Sequence, residues 1–275
     1  MGNVPADSSK AATVLTVAGS DPSGGAGVEQ DLQVFSRFGV AGAAILTCLT
    51  DQTSRGLVGV TAVPVAEGRP RLRAVLDDLR PAAIKIGMLP GPNWMRSLAA
   101  ELDALPARHG FVLLDPILAP TVGEPLHAPR AIRAMVRHLL PRVDLLTPNL
   151  EEAAALLGLK RGDCRRDPES AIDRLLDLGP ASVLLKGGHG TGSRVVDRLR
   201  GAAGSGQWSA PRLAGPPVRG TGCALSAAVV ARIAAGDEVE DAVSQAVGWL
   251  RRALAGAQKR GRGRRYLDLR IDPGC

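Results

Sequence analysis

Aromatic side chains are scarce in this chain: three Phe, three Trp and one Tyr among 275 residues. Such a composition builds its core from Leu, Val, Ile and Ala packed between sheet and helices. The same scarcity removes the stacking platforms on which proteins grip single-stranded nucleic acid. Cysteine is sparse too. Cys48, Cys164, Cys223 and Cys275 show no CxxC or CxxH spacing, which excludes a structural zinc site and a disulfide framework and suits a reducing compartment. No apolar run is long enough to span a bilayer. Residues 1–12 are polar and the first apolar run, 14–18, is too short for a signal segment. A soluble, cytoplasmic protein is therefore expected. GxGxxG is missing after the first strand and GxxxxGK[ST] is missing throughout, so the usual dinucleotide and P-loop fingerprints are excluded.

Charge is present but unevenly spread. The formal net charge is +7. Residues 251–275 carry eight basic side chains against Asp268 and Asp272, so nearly all the excess lies at one end. Without aromatic partners this end reads as a solvated basic tail over 259–275 rather than a nucleic-acid site. Nucleic acid and membrane are not expected partners.

What remains is an alternation of short apolar runs with amphipathic stretches, the pattern of a parallel sheet covered on both faces. Strands are predicted at 14–18, 43–48, 83–86, 111–114, 145–147 and 182–186. Helices are predicted at 28–38, 69–79, 94–105, 131–140, 151–157, 170–178, 224–235 and 239–257. Residues 195–219 read as short antiparallel strands and turns. The expected fold is a three-layer αβα domain over 13–258, with a flexible stretch at 1–12.

In open α/β sheets, ligands collect at the C-terminal ends of strands. Polar and glycine residues gather at six such ends: Gly19-Ser20-Asp21, Asp51-Gln52, Gly87-Met88, Asp115-Pro116, Pro148-Asn149 and Lys186-Gly187-Gly188-His189. The glycine turn 19–27 permits backbone contact with a small ligand, and Asp31 lies one turn into the following helix. Asn149 and Glu152 are oxygen donors three residues apart, a pair suited to magnesium carried by a nucleotide. The same pair also completes an ordinary helix start. Lys186 ends an apolar run and offers a point charge to a phosphate. Gly220-Thr221-Gly222-Cys223 opens a small-residue helix, whose unpaired amides and macrodipole of about +0.5 charge attract anions. A thiol at that position is expected to ionise more easily.

Together these segments resemble the hydroxymethylpyrimidine/phosphomethylpyrimidine kinases of thiamine biosynthesis, within the ribokinase-like superfamily. The motifs are AGSDPSGGAGVEQDL at 18–32, DQTSRG at 51–56, KIGML at 85–89, LDPIL at 114–118, TPNLEEA at 147–153, KGGH at 186–189 and RGTGCALSAA at 219–228. The resemblance implies ATP-dependent phosphorylation of a hydroxymethyl group, with ATP and Mg2+ as cofactors. It implies that Gln52 and Asp31 hold the aminopyrimidine edge, with Gly19, Met88 and Ile117 around it. Asn149, Glu152 and Asp115 would act around Mg-ATP, Lys186 and Thr221 at the phosphates, and Gly220, Thr221 and Gly222 as the anion hole. Cys223 would stand where many superfamily members carry an aspartate base.

The chain departs from the family pattern at Arg219 (usually His), at Thr121 and Val122, at Thr53 after Gln52, and at Asp51. A pyridoxal-type kinase, a catalytically silent ligand sensor and a nucleic-acid binder acting through the basic tail are the rival readings. A homodimer is expected, with Trp94, Trp249 and the closing helices as candidates for its contact.

Overall fold

The computed structural model describes residues 11–105, 110–118, 129–160, 162–188, 190 and 192–274. Residues 1–10 of the expected flexible stretch, Thr121, Val122 and His189 lie outside the described residues.

Nine strands form one sheet. In chain order they are β1 (Thr13–Ser20), β2 (Ala41–Thr53), β3 (Gly56–Ala62), β4 (Ala83–Ile86), β5 (Phe111–Leu114), β6 (Leu145–Leu146), β7 (Ser182–Leu185), β8 (Arg194–Gly201) and β9 (Gly204–Pro211). Their spatial order is β3-β2-β1-β4-β5-β6-β7-β8-β9. Pairing is parallel from β2 through β7, and antiparallel at both ends, where β3 and the β8–β9 hairpin are added.

The central strands are buried on both faces, and their side chains alternate between two cores. Leu15, Val17, Ile84, Ile86, Val112 and Leu114 pack under α2 (Val65–Leu79), α3 (Pro92–Ala104), α4 (Pro129–His138), α5 (Leu150–Leu156), α6 (Asp163–Arg166) and α7 (Pro168–Leu176). Val14, Ala83, Leu113, Leu145 and Leu184 pack under α1 (Gly27–Arg37), α8 (Thr221–Ala234) and α9 (Val239–Ala255). Helix α8 is apolar all round, with Cys223 to Ala231 buried without interruption, as befits a helix sandwiched between sheet and α9. The expected three-layer αβα architecture is the one found.

Two expectations need correcting. The basic segment after 258 is not a solvated tail. It carries β11 (Arg265–Tyr266), which pairs in parallel with β10 (Val218–Arg219), and Tyr266 and Leu267 are buried. Further on, the indole N–H of Trp249 donates to the Ile271 carbonyl. Burial of Tyr266 and Leu267 anchors the segment despite its arginines, and Arg265 itself donates to the Ala257 carbonyl. Trp94 and Trp249, offered as dimer contacts, are buried within the single chain. The antiparallel strands expected over 195–219 are found as β8 and β9, which join the main sheet.

Candidate active site

The site begins with β1, which delivers Gly19, Ser20 and Asp21 at its C-terminal end. A side chain at Gly19 would meet Cys48 Sγ at 2.6 Å and Met88 Sδ at 3.7 Å, so this glycine lets the β1, β2 and β4 ends draw together. Met88 is fixed through its carbonyl, which accepts from Thr47 Oγ1 at 2.6 Å. Beneath them Asp31, from α1, is wholly buried. Its Oδ2 accepts from Lys85 Nζ at 2.8 Å and from Thr16 Oγ1 at 2.7 Å, while Oδ1 has no partner. Burial works against the Lys85 ammonium, but the adjacent Asp31 carboxylate more than compensates and raises its pKa. The lysine was readable in principle, as the one charge inside the apolar β4, yet only its motif and not its role was assigned.

Gln52 and the glycine loop belong to one chain of contacts. Gln52 Nε2 donates to Asp21 Oδ2 at 3.2 Å, and Arg219 Nη2 donates to the same oxygen at 2.7 Å. Arg219 also donates to the Thr53 carbonyl. Asp21 is itself built into the turn, accepting from Ser23 and from the Gly25 N–H. Gly220 follows Arg219 at φ 72°, a left-handed conformation, and a Cβ there would overlap the Gly25 carbonyl oxygen. Only glycine satisfies both conditions. Thus two segments almost 200 residues apart meet with backbone against backbone. Gly220 then caps α8 without a side-chain acceptor, leaving the first-turn amides pointed outward.

Across that helix start lies the third group. Lys186 Nζ donates to Asp115 Oδ1 at 2.6 Å, and Ser226 Oγ donates to Asp115 Oδ2 at 3.1 Å. A Cβ on Gly222 would sit 3.2 Å from Lys186 Nζ and 3.8 Å from Asp115 Oδ2. Burial alone would raise the Asp115 pKa, but Lys186 and Lys85 hold the carboxyl below its usual range. Ser226 was not foreseen; it is hidden in a run of small residues whose packing role explains it equally well. Ile117 follows Asp115 in the same loop, its amide donating back to the Asp115 carbonyl.

Asn149 and Glu152 form a complete capping box. Asn149 Oδ1 accepts from the Glu151 and Glu152 amides at 2.9 Å, and Glu152 Oε2 accepts from the Asn149 amide at 2.8 Å. Both lone pairs of Asn149 Oδ1 are engaged in the cap, while its side-chain amide N–H groups remain as donors. Glu152 keeps its other oxygen. Its carboxyl is pushed up to about 7, by burial first and then by Asp115, against the pull of Lys186. No cluster of three or more acidic, His or Cys side chains suited to a metal occurs among the described residues. A cation here would have to bring most of its own ligands.

The thiol reads differently from expectation. Cys223 is pushed up to about 12, because burial disfavours the thiolate and Asp115 and Asp31 add to the effect, outweighing Lys85 and the Gly27 amide. The helix end does not win over desolvation. A concavity of about 1270 Å3 lies elsewhere, between Val63, Trp94 and Arg133, and contains none of the strand-end groups.

The match to known proteins follows this geometry. The family model described as phosphomethylpyrimidine kinase matches residues 21–268, from Asp21 through Asp268. The hydroxymethylpyrimidine/phosphomethylpyrimidine kinase of Escherichia coli is 37% identical over 248 residues, covering 90% of this chain and 92% of that protein. The chain belongs to the phosphomethylpyrimidine kinase family. A thiamine biosynthesis bifunctional protein of Geobacter sulfurreducens is 36% identical over 91% of this chain and 51% of its own length. Among solved structures, the pyridoxal kinase of Staphylococcus aureus in complex with AMP-PCP and pyridoxal has a TM-score of 0.85 at 27% identity, over 94% of each chain. Family membership makes this chain an enzyme of the alcohol phosphotransferase type and gives its sheet the ribokinase-like topology. No described helix is long and apolar enough to cross a membrane.

Proposed function

We propose that the chain transfers the γ-phosphoryl group of ATP to the hydroxymethyl group of 4-amino-5-hydroxymethyl-2-methylpyrimidine in thiamine biosynthesis. The pyrimidine ring lies among Gly19, Cys48 and Met88. Its exocyclic amine donates to the Gln52 side-chain carbonyl, while Asp31, buried beneath, supports the pocket floor through Lys85 and Thr16. The acceptor hydroxyl then faces the start of α8, and the phosphates lie between that helix and Lys186.

Phosphoryl transfer passes through a loose transition state, so positioning and charge neutralisation supply most of the rate. The amides of 221–223 and Lys186 act on the developing negative charge; losing a preorganised donor of this kind costs about 2.7–4 kcal/mol in the barrier. Asp115 and Ser226 hold Lys186 in place. Cys223, neutral at rest, orients the attacking hydroxyl as a thiol; as the new O–P bond forms and ADP departs, the hydroxyl proton passes late to an oxygen of the transferred phosphoryl group. Mg2+ bound with the nucleotide would supply charge neutralisation at the phosphates, held through Glu152 and retained waters. A carboxyl raised by burial is one that a nearby cation stabilises in ionised form.

The observation that carries this reading is the seating of Gly220 on the Gly25 carbonyl, which joins the ring pocket to the anion-binding helix start. The test is a product assay with ATP and Mg2+, offering hydroxymethylpyrimidine and pyridoxal in competition. Preferred turnover of the pyrimidine supports the proposal. Preferred turnover of pyridoxal favours the second reading, a pyridoxal-type kinase, which the shape similarity to the S. aureus enzyme supports. No product from either would return the silent-sensor reading.

A further inference from the structure

The chain has a single tyrosine, and it is placed against the substrate end of the site by a segment that reads as a tail. Gly263 N–H donates to Ser54 Oγ at 3.1 Å, and Arg264 N–H donates to the Ser54 carbonyl at 2.8 Å. A Cβ on Gly261 would meet Ser54 Oγ at 2.6 Å. The strap over 261–266 therefore clasps the turn directly after Gln52 and Thr53. At its end, Tyr266 exchanges hydrogen bonds with Gln258, N–H to carbonyl in each direction, at 2.8 and 2.9 Å. Its register partner in the β10–β11 pair is Arg219.

The ring of Tyr266 is 5% exposed. The Arg219 guanidinium carbon lies 5.4 Å from its centroid, and Arg260 lies 5.6 Å from it, both within cation–π range. On the side of the first glycine turn, a Cβ added to Gly25 would sit 2.7 Å from the ring edge and 3.0 Å from Arg219 Nε. Ring, guanidinium and glycine turn are in mutual contact, with no room for another atom. Arg219 is the group that bridges Asp21, and thereby Gln52, to the Thr53 carbonyl. A flexible arginine side chain holds two acceptors at once only if its stem and plane are fixed, and ordering it costs side-chain entropy.

We propose that Tyr266 is a positioning residue: its ring fixes the Arg219 guanidinium and the Gly25 turn, and so sets the Asp21–Gln52 pair that receives the pyrimidine. The inference rests on the proposed kinase reading and deepens it. It also gives Arg219 a structural partner.

The experiment compares Tyr266→Leu and Tyr266→Phe with wild type in steady-state assays and in calorimetric binding of hydroxymethylpyrimidine without ATP. Tyr266→Leu is expected to weaken pyrimidine binding and raise its KM about tenfold, with the KM for ATP changed less than about twofold. Tyr266→Phe keeps the ring and should match wild type on both. Unchanged pyrimidine affinity in a folded Tyr266→Leu overturns the proposal, as does an equal rise in both KM values or a Tyr266→Phe as weak as the leucine variant. Should Tyr266→Leu fail to fold, Gly25→Ala pushes the ring aside from the opposite side. It should show the same selective loss, and a loss shared equally by ATP overturns the proposal. Wild-type turnover of the pyrimidine is measured first. Its absence refutes the kinase reading; its presence without the selective effect refutes only the role of Tyr266.

Discussion

Glu152 offers a measurement in which the structure fixes sign and size together. Its carboxyl is raised from an ordinary value near 4.5 to about 7, chiefly by burial. The folded chain therefore binds this proton more tightly than the unfolded chain does. Its contribution to stability is complete at acid pH, below the unfolded value, and is lost as pH rises through 7. At 1.36 kcal/mol for each tenfold change in proton affinity, the shift is worth at most about 3 kcal/mol, of which roughly 2–2.5 kcal/mol disappears between pH 5 and 8. Glu152→Gln keeps an acceptor for the Asn149 amide and does not titrate. Subtracting the variant's stability from that of wild type, by urea unfolding at several pH values, removes every other titrating group the two share. The difference should favour wild type at pH 5 and fall by about 2 kcal/mol at pH 8, the equivalent of roughly 5 °C in Tm for a domain of this size. Adding Mg2+ with a non-hydrolysable ATP analogue should flatten the slope, because a cation near Glu152 favours its ionised form. Parallel pH curves for the two proteins would refute the reasoning, since they mean that the carboxyl keeps its solvent-like affinity in the fold.

The remaining expectations concern the glycine loop and its neighbours. Cys223→Ser should retain most of the turnover and Cys223→Ala lose about tenfold in kcat; an apparent pKa between 7 and 9 in the wild-type kcat profile that vanishes in Cys223→Ser would instead restore a base role for the thiol. Gly220→Ala should lower stability by at least about 1–3 kcal/mol from backbone conformation alone, before the overlap with Gly25 is counted, read as a fall in Tm together with lost activity. Lys186→Met leaves Asp115 buried without its cation and should cost about 3–5 kcal/mol. Adding Asp115→Asn to it should recover part of that stability in chemical unfolding and none of the turnover in the product assay.

Legibility in the sequence followed the hydrophobic signal. Strands β4, β5 and β7 are short, mostly apolar runs in the middle of the sheet, and their bounds agree with the predicted ones to within a residue. β2 was predicted at 43–48 but runs from Ala41 to Thr53; its last four residues are polar and their order comes from pairing with β3. β3 itself has no buried side chain, and its Val58 is 86% exposed; its apolar residues are broken up by Gly59 and face no core. The strap over 261–266 was hidden by its arginines, since charge density reads as solvation unless Tyr266 and Leu267 are weighed as anchors. Within the site, the glycine clusters announced their positions through their own density. What spacing could not reveal was commitment. Asn149 and Glu152 fit a helix cap and a metal site equally well on paper, and the fold spends the Asn149 oxygen on the cap. Cys223 sits at a helix start, as read, yet two carboxylates and burial reverse the expected direction of its acidity.

The clasp between Ser54 and Gly263 has a bearing on how this enzyme comes to life on the ribosome. Gly19 is made well before Tyr266, so the pocket for the ring cannot be finished until the 261–266 strap has followed. Pairings so distant in sequence are slow to form and hold nothing together until they close. A nascent chain can stack its central strands and still lack a working acceptor site. That site is complete only when the strap folds back over the turn at Ser54.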